Sequence, residues 1–276
     1  MYQFPLLVGK IACTFIPNLT KSFRVKKLLF PLTLVVLFVG CKKENEELIF
    51  AELNLEEVSD THCDPEEENC AFISINTPLA TGSGSKSKNL NRQIEKHIIH
   101  LMEYQGVRKF NSLESLAQGF IDDYEASAKE FPEYDIPWEA SIDGRIIHNS
   151  PEVISVEFRM GLFTGGAHGY TGVSFLNFNP ETGEPLNSKK LFDPGFSNFA
   201  EKIFRQKNGI PENEPINSTG FLFEDEKFQL PKNIGFSQEK VLLRYNPYEV
   251  ASYADGSLLL EIPLEDARKY LNFDNL

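Results

Sequence analysis

The spacing of apolar and polar residues predicts two strands at the start of the folded region. Leu48, Phe50, Leu53 and Leu55 roughly alternate with polar residues, and the segment 72–76 repeats this alternation. A period of two is typical of a half-buried strand. We therefore expect two strands here, joined by the polar segment between them.

Apolar spacing of a different period predicts two helices next. Glycine and serine fill 81–88, which predicts a flexible connector. The first helix is predicted over 89–104 from its helical spacing. Asn111 is predicted to cap the second helix with Glu114 as the other half of a capping box, and Pro132 to stop it. The predicted buried face of this second helix carries Leu113, Leu116, Phe120 and Tyr124.

The remaining elements are mostly strands, separated by glycine and proline turns. In chain order we predict strands over 138–149, 153–163 and 172–178, a helix over 196–207, strands over 233–236, 240–245 and 257–262, and a helix over 263–270. Runs of strands that are separated from runs of helices favour an α+β fold. The prediction is two small α+β subdomains, 48–165 and 166–276, each an antiparallel sheet with packed helices.

The amino terminus has the pattern of a secretion signal. A basic segment, 21–27, precedes the apolar run 28–39, whose 12 residues are too few for a membrane-spanning helix. The run ends in Phe-Val-Gly-Cys, which resembles a lipobox with Cys41 as the lipidated residue. We expect 1–40 to be a lipoprotein signal peptide and 41–47 a tether to the membrane. An uncleaved transmembrane anchor is the alternative.

Two cysteines remain in the exported part, Cys63 and Cys70. They bracket a polar, turn-rich hexapeptide, and an even pair in an oxidising compartment is typical of a disulfide. A metal site built from His62 and the two cysteines is the alternative, although the second ligand pair that zinc prefers is missing.

The charge of the chain restricts its partners. The net charge is −13. Residues 1–41 contain five basic and no acidic residues, which leaves 22 basic against 40 acidic residues in the rest of the chain. Nucleic acid is disfavoured, because its phosphates require basic patches. A cationic partner would be attracted over long range, whereas simple solubility is the alternative explanation of the acidity.

Few residues suggest chemistry. The sequence lacks the serine-hydrolase, zinc-protease and phosphate-loop motifs. His168 follows a glycine corner and is either a ligand contact, a general base or a structural histidine. His97 and His100 lie one helical turn apart and could chelate a metal, but we expect solvated side chains. No cofactor or metal site is predicted.

The segment from Tyr245 to Tyr253 is the predicted recognition surface. A proline at 247 ends the preceding strand, and the connection that follows is rich in tyrosine, which combines an apolar ring face with a polar tip. Together with His168, the candidate ligand-binding residues are Tyr245, Asn246, Tyr248, Glu249 and Tyr253. Packing of these tyrosines on the core of their own loop is the alternative.

Two stretches carry a family resemblance. One is Gly-Gly-Ala-His-Gly-Tyr at 165–170, continuing through 175–183 and Leu-Phe at 191–192. The other is Leu-Arg-Tyr-Asn-Pro-Tyr-Glu-Val at 243–250, followed by Tyr-Ala-Asp-Gly at 253–256 and Ile-Pro-Leu at 262–264. Together they resemble the extracytoplasmic domain shared by RsiV, a lysozyme-sensing anti-sigma factor, and the N-terminal part of the deacetylase PdaC.

This resemblance implies a binding or sensing module at the cell envelope over roughly 48–272. An anti-sigma role is not expected, because the residues before Cys41 have the pattern of a signal and not of a sigma-binding segment. Deacetylase activity is not expected either, because in PdaC it belongs to a separate catalytic domain.

The expected function is therefore a non-catalytic, lipid-anchored module of the cell envelope, facing the periplasm or the cell surface. Its ligand would be a cationic protein such as lysozyme, or a cell-wall component such as peptidoglycan. One alternative is an envelope hydrolase that acts on peptidoglycan or glycan through Glu249, His168 or an acid of 122–125. Another is a structural accessory subunit of an envelope complex.

Overall fold

The structure, a computed structural model, describes residues 48–61, 70–102, 109–134 and 136–273. These residues belong to one compact unit, Asn45–Leu276. The predicted signal peptide, the tether, Cys41 and Cys63 lie outside the described residues. The disulfide between Cys63 and Cys70 therefore stays a prediction, and Cys70 itself is buried.

A five-stranded sheet occupies the first half of the chain. Its strands run in chain order across the sheet: β1 Phe50–Val58, β2 Phe72–Ala80, β3 Glu139–Asn149, β4 Ile154–Phe163 and β5 Tyr170–Phe178. β2 and β3 are parallel, whereas the other neighbours are antiparallel. The prediction of a purely antiparallel sheet is wrong for this one pair. Parallel strands need a long crossover, and two helices separate β2 from β3.

These two helices are α1, Ser85–Leu101, and α2, Leu113–Glu130. They cover one face of the sheet, and the predicted apolar face of α2 is buried there. α1 begins inside the segment predicted to be a flexible connector. Ser87 explains why serine does not break the helix here, because its hydroxyl donates to the carbonyl of Thr81 and is buried.

The cap of α2 differs from the prediction by one residue. Ser112, and not Asn111, accepts a hydrogen bond from the backbone N–H of Ser115, at 3.1 Å. The Ser115 hydroxyl accepts in turn from the backbone N–H of Ser112, so a serine takes the place that was predicted for Glu114. The helix ends two residues before Pro132, as predicted.

A three-stranded antiparallel sheet forms the second half. Its strands are β6 Asn233–Phe236, β7 Lys240–Tyr245 and β8 Leu258–Pro263, and its helices are α3 Ser188–Leu191, α4 Gly195–Lys207 and α5 Leu264–Ala267, which leads into a 3-10 turn. α4 buries Phe196, Ala200 and Phe204 against one face of this sheet. The predicted α+β class with two subdomains is confirmed.

The boundary between the two sheets lies after Phe178, later than the predicted division at 165/166. β5 pairs with β4 along its whole length, because the glycine corner is a tight connection inside the first sheet. At the junction, the Asn177 side chain donates to the carbonyl of Ile234 at 2.7 Å, and the Ser155 hydroxyl accepts from the N–H of Phe236 at 3.1 Å. Both residues are buried, so these bonds attach β6 to the outer face of β4 and β5.

No helix within the described residues has the length and apolar character needed to cross a membrane.

Candidate functional site

Three aromatic rings predicted to bind a ligand are stacked in a row. The His168 ring lies 4.5 Å from the Tyr253 ring at an interplanar angle of 25°. The Tyr253 ring also lies 5.3 Å from the Tyr248 ring, at an interplanar angle of 29°. We call His168, Tyr253 and Tyr248 the aromatic ladder. It joins the loop before β5 to the connection between β7 and β8.

Hydrogen bonds fix the middle ring of the ladder. The Tyr253 hydroxyl donates to the carbonyl of Gly169 at 2.9 Å, and His168 Nδ1 lies 3.1 Å from the same oxygen. Ser252 and Asp255 form a capping box around the 3-10 turn that carries Tyr253. Hydrogen bonds therefore hold Tyr253 to the backbone of the loop before β5 and also stabilise the 3-10 turn that carries it.

Tyr248 is an exposed member of the ladder. This residue is 65% exposed, and its backbone φ is +70°. A positive φ is a strained backbone conformation for a bulky residue, and such strain concentrates at functional sites. His168 is also exposed. The two outer rings of the ladder are thus accessible to a ligand.

Tyr245 and Asn246 bond to the backbone of other segments and stabilise the fold. Tyr245 is only 2% exposed, and its hydroxyl donates to the carbonyl of Gln229 at 2.7 Å. Burial, with a smaller effect from Glu249, raises the pKa of Tyr245. The Asn246 amide accepts from the N–H of Val173 and donates to its carbonyl, at 3.0 and 2.9 Å. Asn246 therefore pairs with the edge strand β5 as a neighbouring strand would.

Glu249 lies one residue beyond Tyr248. Partial burial of its carboxyl group raises its pKa, against hydrogen bonds from Asn246 and Asn233 and the charge of Lys232. The Asn233 amide donates to Glu249 Oε1 at 3.3 Å. The Glu249 carboxylate is thus held on the Asn233 side of this loop.

The residues named for the hydrolase alternative have these contacts within the described part of the chain. His168 contacts Gly169 and Tyr253, and within the described ranges no serine or cysteine side chain bonds to it. Glu125, an acid of the 122–125 segment, accepts from the Ser59 hydroxyl at 3.0 Å. The described part of the chain also holds no group of three His, Cys, Asp or Glu residues able to bind a metal ion.

His97 corrects the expectation that both helix histidines are solvated. Its Nε2 lies 2.7 Å from the Ser174 hydroxyl, and its ring lies 5.0 Å from that of Phe158. Burial is the main cause that lowers the pKa of His97 to about 4, and the nearby His100 adds to it. The sequence could not show this, because the contact needs α1 to lie across β5. His100 is exposed.

A second feature lies outside the residues selected from the sequence. Arg145 and Arg159 both donate to Oε1 of the buried Glu157, at 2.9 and 2.7 Å from their Nε atoms. Arg244 approaches the same group from β7, since the charges of Glu157 and Arg159 both act on it. The sequence signal for this cluster is a series of charged residues at alternate positions of the strands. These positions lie on the face of the sheet opposite the helices.

Comparisons with known proteins divide the chain in two. Residues 65–171 match the family described as deacetylase PdaC, and residues 189–265 match a family described as a protein of unknown function, DUF3298. The first match includes the glycine–histidine corner, and the second includes the Tyr-Asn-Pro-Tyr-Glu stretch. The resemblance predicted from these two motifs is confirmed. No curated protein matches the chain.

Two solved structures share the fold. A DUF3298 family protein from Pseudomonas aeruginosa PAO1 is similar with a TM-score of 0.60 and 19% identity, over 83% of this chain and 96% of that one. A member of the same family from Bacteroides fragilis NCTC 9343 is similar with a TM-score of 0.62 and 16% identity, over 82% of this chain and 94% of that one. At this identity the similarity is one of fold.

Proposed function

We propose a function from the premise that this chain combines a part that matches the PdaC family with a part that matches the DUF3298 family. The proposal is that it is a non-catalytic binding module, held at the cell envelope by a lipid on Cys41. The deacetylase name belongs to one of the matching families, and we do not extend that activity to this chain.

The aromatic ladder is the observation that carries this proposal. Exposed tyrosine rings are frequent energetic centres of protein interfaces, because each combines a large apolar face with few rotatable bonds. Stacking of Tyr253 with both His168 and Tyr248, and the bond from its hydroxyl to Gly169, hold the rings in place before any ligand arrives. Ordering costs on binding are correspondingly small.

The ligand we propose is a cationic protein, with lysozyme as the concrete candidate. Lysine and arginine side chains are attracted to the faces of aromatic rings. Glu249 follows Tyr248 in the same loop, and the chain carries a net charge of −13, which would steer a basic protein towards it. The support for lysozyme itself is this charge and the resemblance to a lysozyme sensor.

Calorimetric titration of the full chain with a basic lysozyme tests the proposal. We expect saturable binding at low ionic strength that weakens as salt is added, because screening reduces the attraction between exposed charges. Tyr248→Ser should weaken the affinity by about tenfold, which corresponds to about 1.4 kcal/mol for a lost ring contact.

The matched control is Phe131→Ser, which removes another exposed ring, 48% exposed, that follows α2 in the first half of the chain. It should leave the affinity unchanged. An absence of binding at low salt would remove lysozyme as the ligand. Equal losses in the Tyr248 and Phe131 variants would show that the ladder is not the binding surface.

A further inference from the structure

Strand alternation directs a set of charged side chains into the space between the two sheets. On β4, Val156 and Phe158 face the helices, so Glu157 and Arg159 face the other way. On β7, Leu243 is buried towards α4, so Arg244 points away from that core. The outward faces of the two sheets therefore meet along these residues.

A groove lies between these two faces. A cavity of about 590 Å³ is lined by Arg145, Arg159 and Arg244 together with Glu157, and an adjoining cavity of about 390 Å³ shares Arg159 and Arg244. We call the two cavities together the arginine groove. Its apolar lining comes from Ile147, Phe175, Leu242 and Leu259. The larger cavity has a volume within the range of small-molecule sites, and most of its lining residues are polar or charged.

The other charges along the groove have partners or lie at its edge. Lys240 and Glu261 pair with each other at 3.2 Å. Asp143 accepts a hydrogen bond from the Asn76 amide at 3.0 Å. Glu239 is exposed. Asp143 keeps its negative charge in the smaller cavity, opposite Arg159 in the strand register. In the larger cavity, three guanidinium groups surround the single buried carboxylate of Glu157, so guanidinium groups are in excess around it.

Glu157 alone does not satisfy these three arginines. Arg145 and Arg159 both bond to its Oε1 atom, and both arginine side chains remain 58% exposed. The Nη1 atom of Arg244 donates to the neutral hydroxyl of Ser257 at 2.8 Å. Its Nε atom is buried and has no hydrogen-bond partner among the described residues. The partly buried guanidinium charge of Arg244 is thus hydrogen-bonded to a neutral hydroxyl and not to a carboxylate, which favours an anion in the adjoining groove.

We propose that the arginine groove binds the oxyanion of a small organic ligand, a carboxylate or a phosphate. Guanidinium groups bind both kinds of oxyanion through paired hydrogen bonds. The apolar lining would contact the rest of the ligand. This site uses different residues from the aromatic ladder, so each can be tested and can fail without the other.

Titration of the full chain with inorganic phosphate and, separately, with succinate tests the site. We expect saturable binding of at least one probe at low ionic strength and a matching rise in melting temperature, because a ligand that binds only the folded state stabilises it. The probe that binds more tightly identifies the preferred oxyanion. Absence of saturable binding of both probes would overturn the proposal.

Two groove variants and one control locate the site. Arg244→Gln and Arg159→Gln should each weaken the preferred probe by about tenfold, because each removes a charged donor. Arg159 is the safer variant for folding, since its side chain is largely exposed and Glu157 keeps Arg145. Arg92→Gln makes the same charge change at an exposed position of α1 and should not alter affinity. An equal loss in the Arg92 variant would show unspecific attraction and overturn the site.

Discussion

At the scale of single residues, the contrast between His97 and His168 shows how placement decides the role of an imidazole. His97 bonds to the Ser174 hydroxyl under α1, and its pKa is lowered to about 4, chiefly by burial. His168 lies exposed at one end of the aromatic ladder. The same residue type therefore stabilises the fold at one position and is available to a ligand at the other.

The lowered pKa of His97 predicts a loss of stability in mild acid. Between pH 6.5 and pH 4 the unfolded chain takes up a proton at His97, whereas the folded chain does not. The free energy of unfolding should therefore fall as the pH falls through this window, by about 2 kcal/mol between pH 7 and pH 4.5 from this residue alone. Urea denaturation of the wild type and of His97→Leu at both pH values would measure this contribution as the difference between their losses.

His100→Gln is the matched control, because it removes an exposed imidazole from the same helix. It should keep most of the pH dependence, since burial is the larger cause of the His97 shift. An NMR titration that places the pKa of His97 near 6.5 would contradict the prediction directly.

At the scale of elements, the capping of α2 depends on one side chain that the sequence did not single out. Ser112 and Ser115 exchange hydrogen bonds at the start of the helix, while Asn111 precedes them. Both Asn111 and Ser112 are good capping types. Only the entry angle of the chain decides between them.

Alanine substitutions at these two positions should therefore differ. Ser112→Ala should lower the free energy of unfolding by about 1 kcal/mol, because the N–H of Ser115 loses its acceptor. Asn111→Ala should change it by much less. Urea denaturation of both variants measures the difference, and a larger effect of the Asn111 variant would restore the predicted cap.

Periodicity was sufficient to predict most elements, but it could not predict how they pair. The apolar faces of β4 and α2 are visible in the sequence because each repeats over many residues. The parallel pairing of β2 and β3 is not visible, since it depends on the path of the chain through two helices. α3 was missed because four residues are too few to show a period.

The candidate site was also predictable only in part, because its residues could be selected from the sequence but their contacts could not. His168, Tyr248 and Tyr253 could be selected because each belongs to a glycine- or tyrosine-rich segment without regular structure, although their stacking could not be foreseen. The sequence did not distinguish Tyr245 from Tyr248, yet one ring is buried and the other is exposed. Arg159 and Arg244 come together because the two sheets pack against each other, so no local sequence pattern predicts their proximity.

At the scale of the whole molecule, one loop connects the two proposed binding features. Asn246 lines the smaller cavity of the arginine groove and pairs with Val173 on β5. Two residues later, Tyr248 forms one end of the aromatic ladder. A locally cationic groove thus lies next to an aromatic surface on a chain that is acidic overall. A partner that carries both positive and negative groups would match this arrangement.

The proposed attachment to the membrane also concerns the whole molecule, and it predicts a single essential residue. If Cys41 carries a diacylglycerol, the chain is anchored by acyl chains in which each buried CH₂ contributes about 0.8 kcal/mol; one chain holds only weakly, whereas two hold stably. Cys41→Ser should abolish incorporation of a labelled fatty acid into the protein. Cys13→Ser makes the same change upstream in the predicted signal peptide and should leave the label in place. Mass spectrometry of the wild type should find a chain that begins at lipidated Cys41, and an intact 1–40 segment on the mature protein would contradict the anchor.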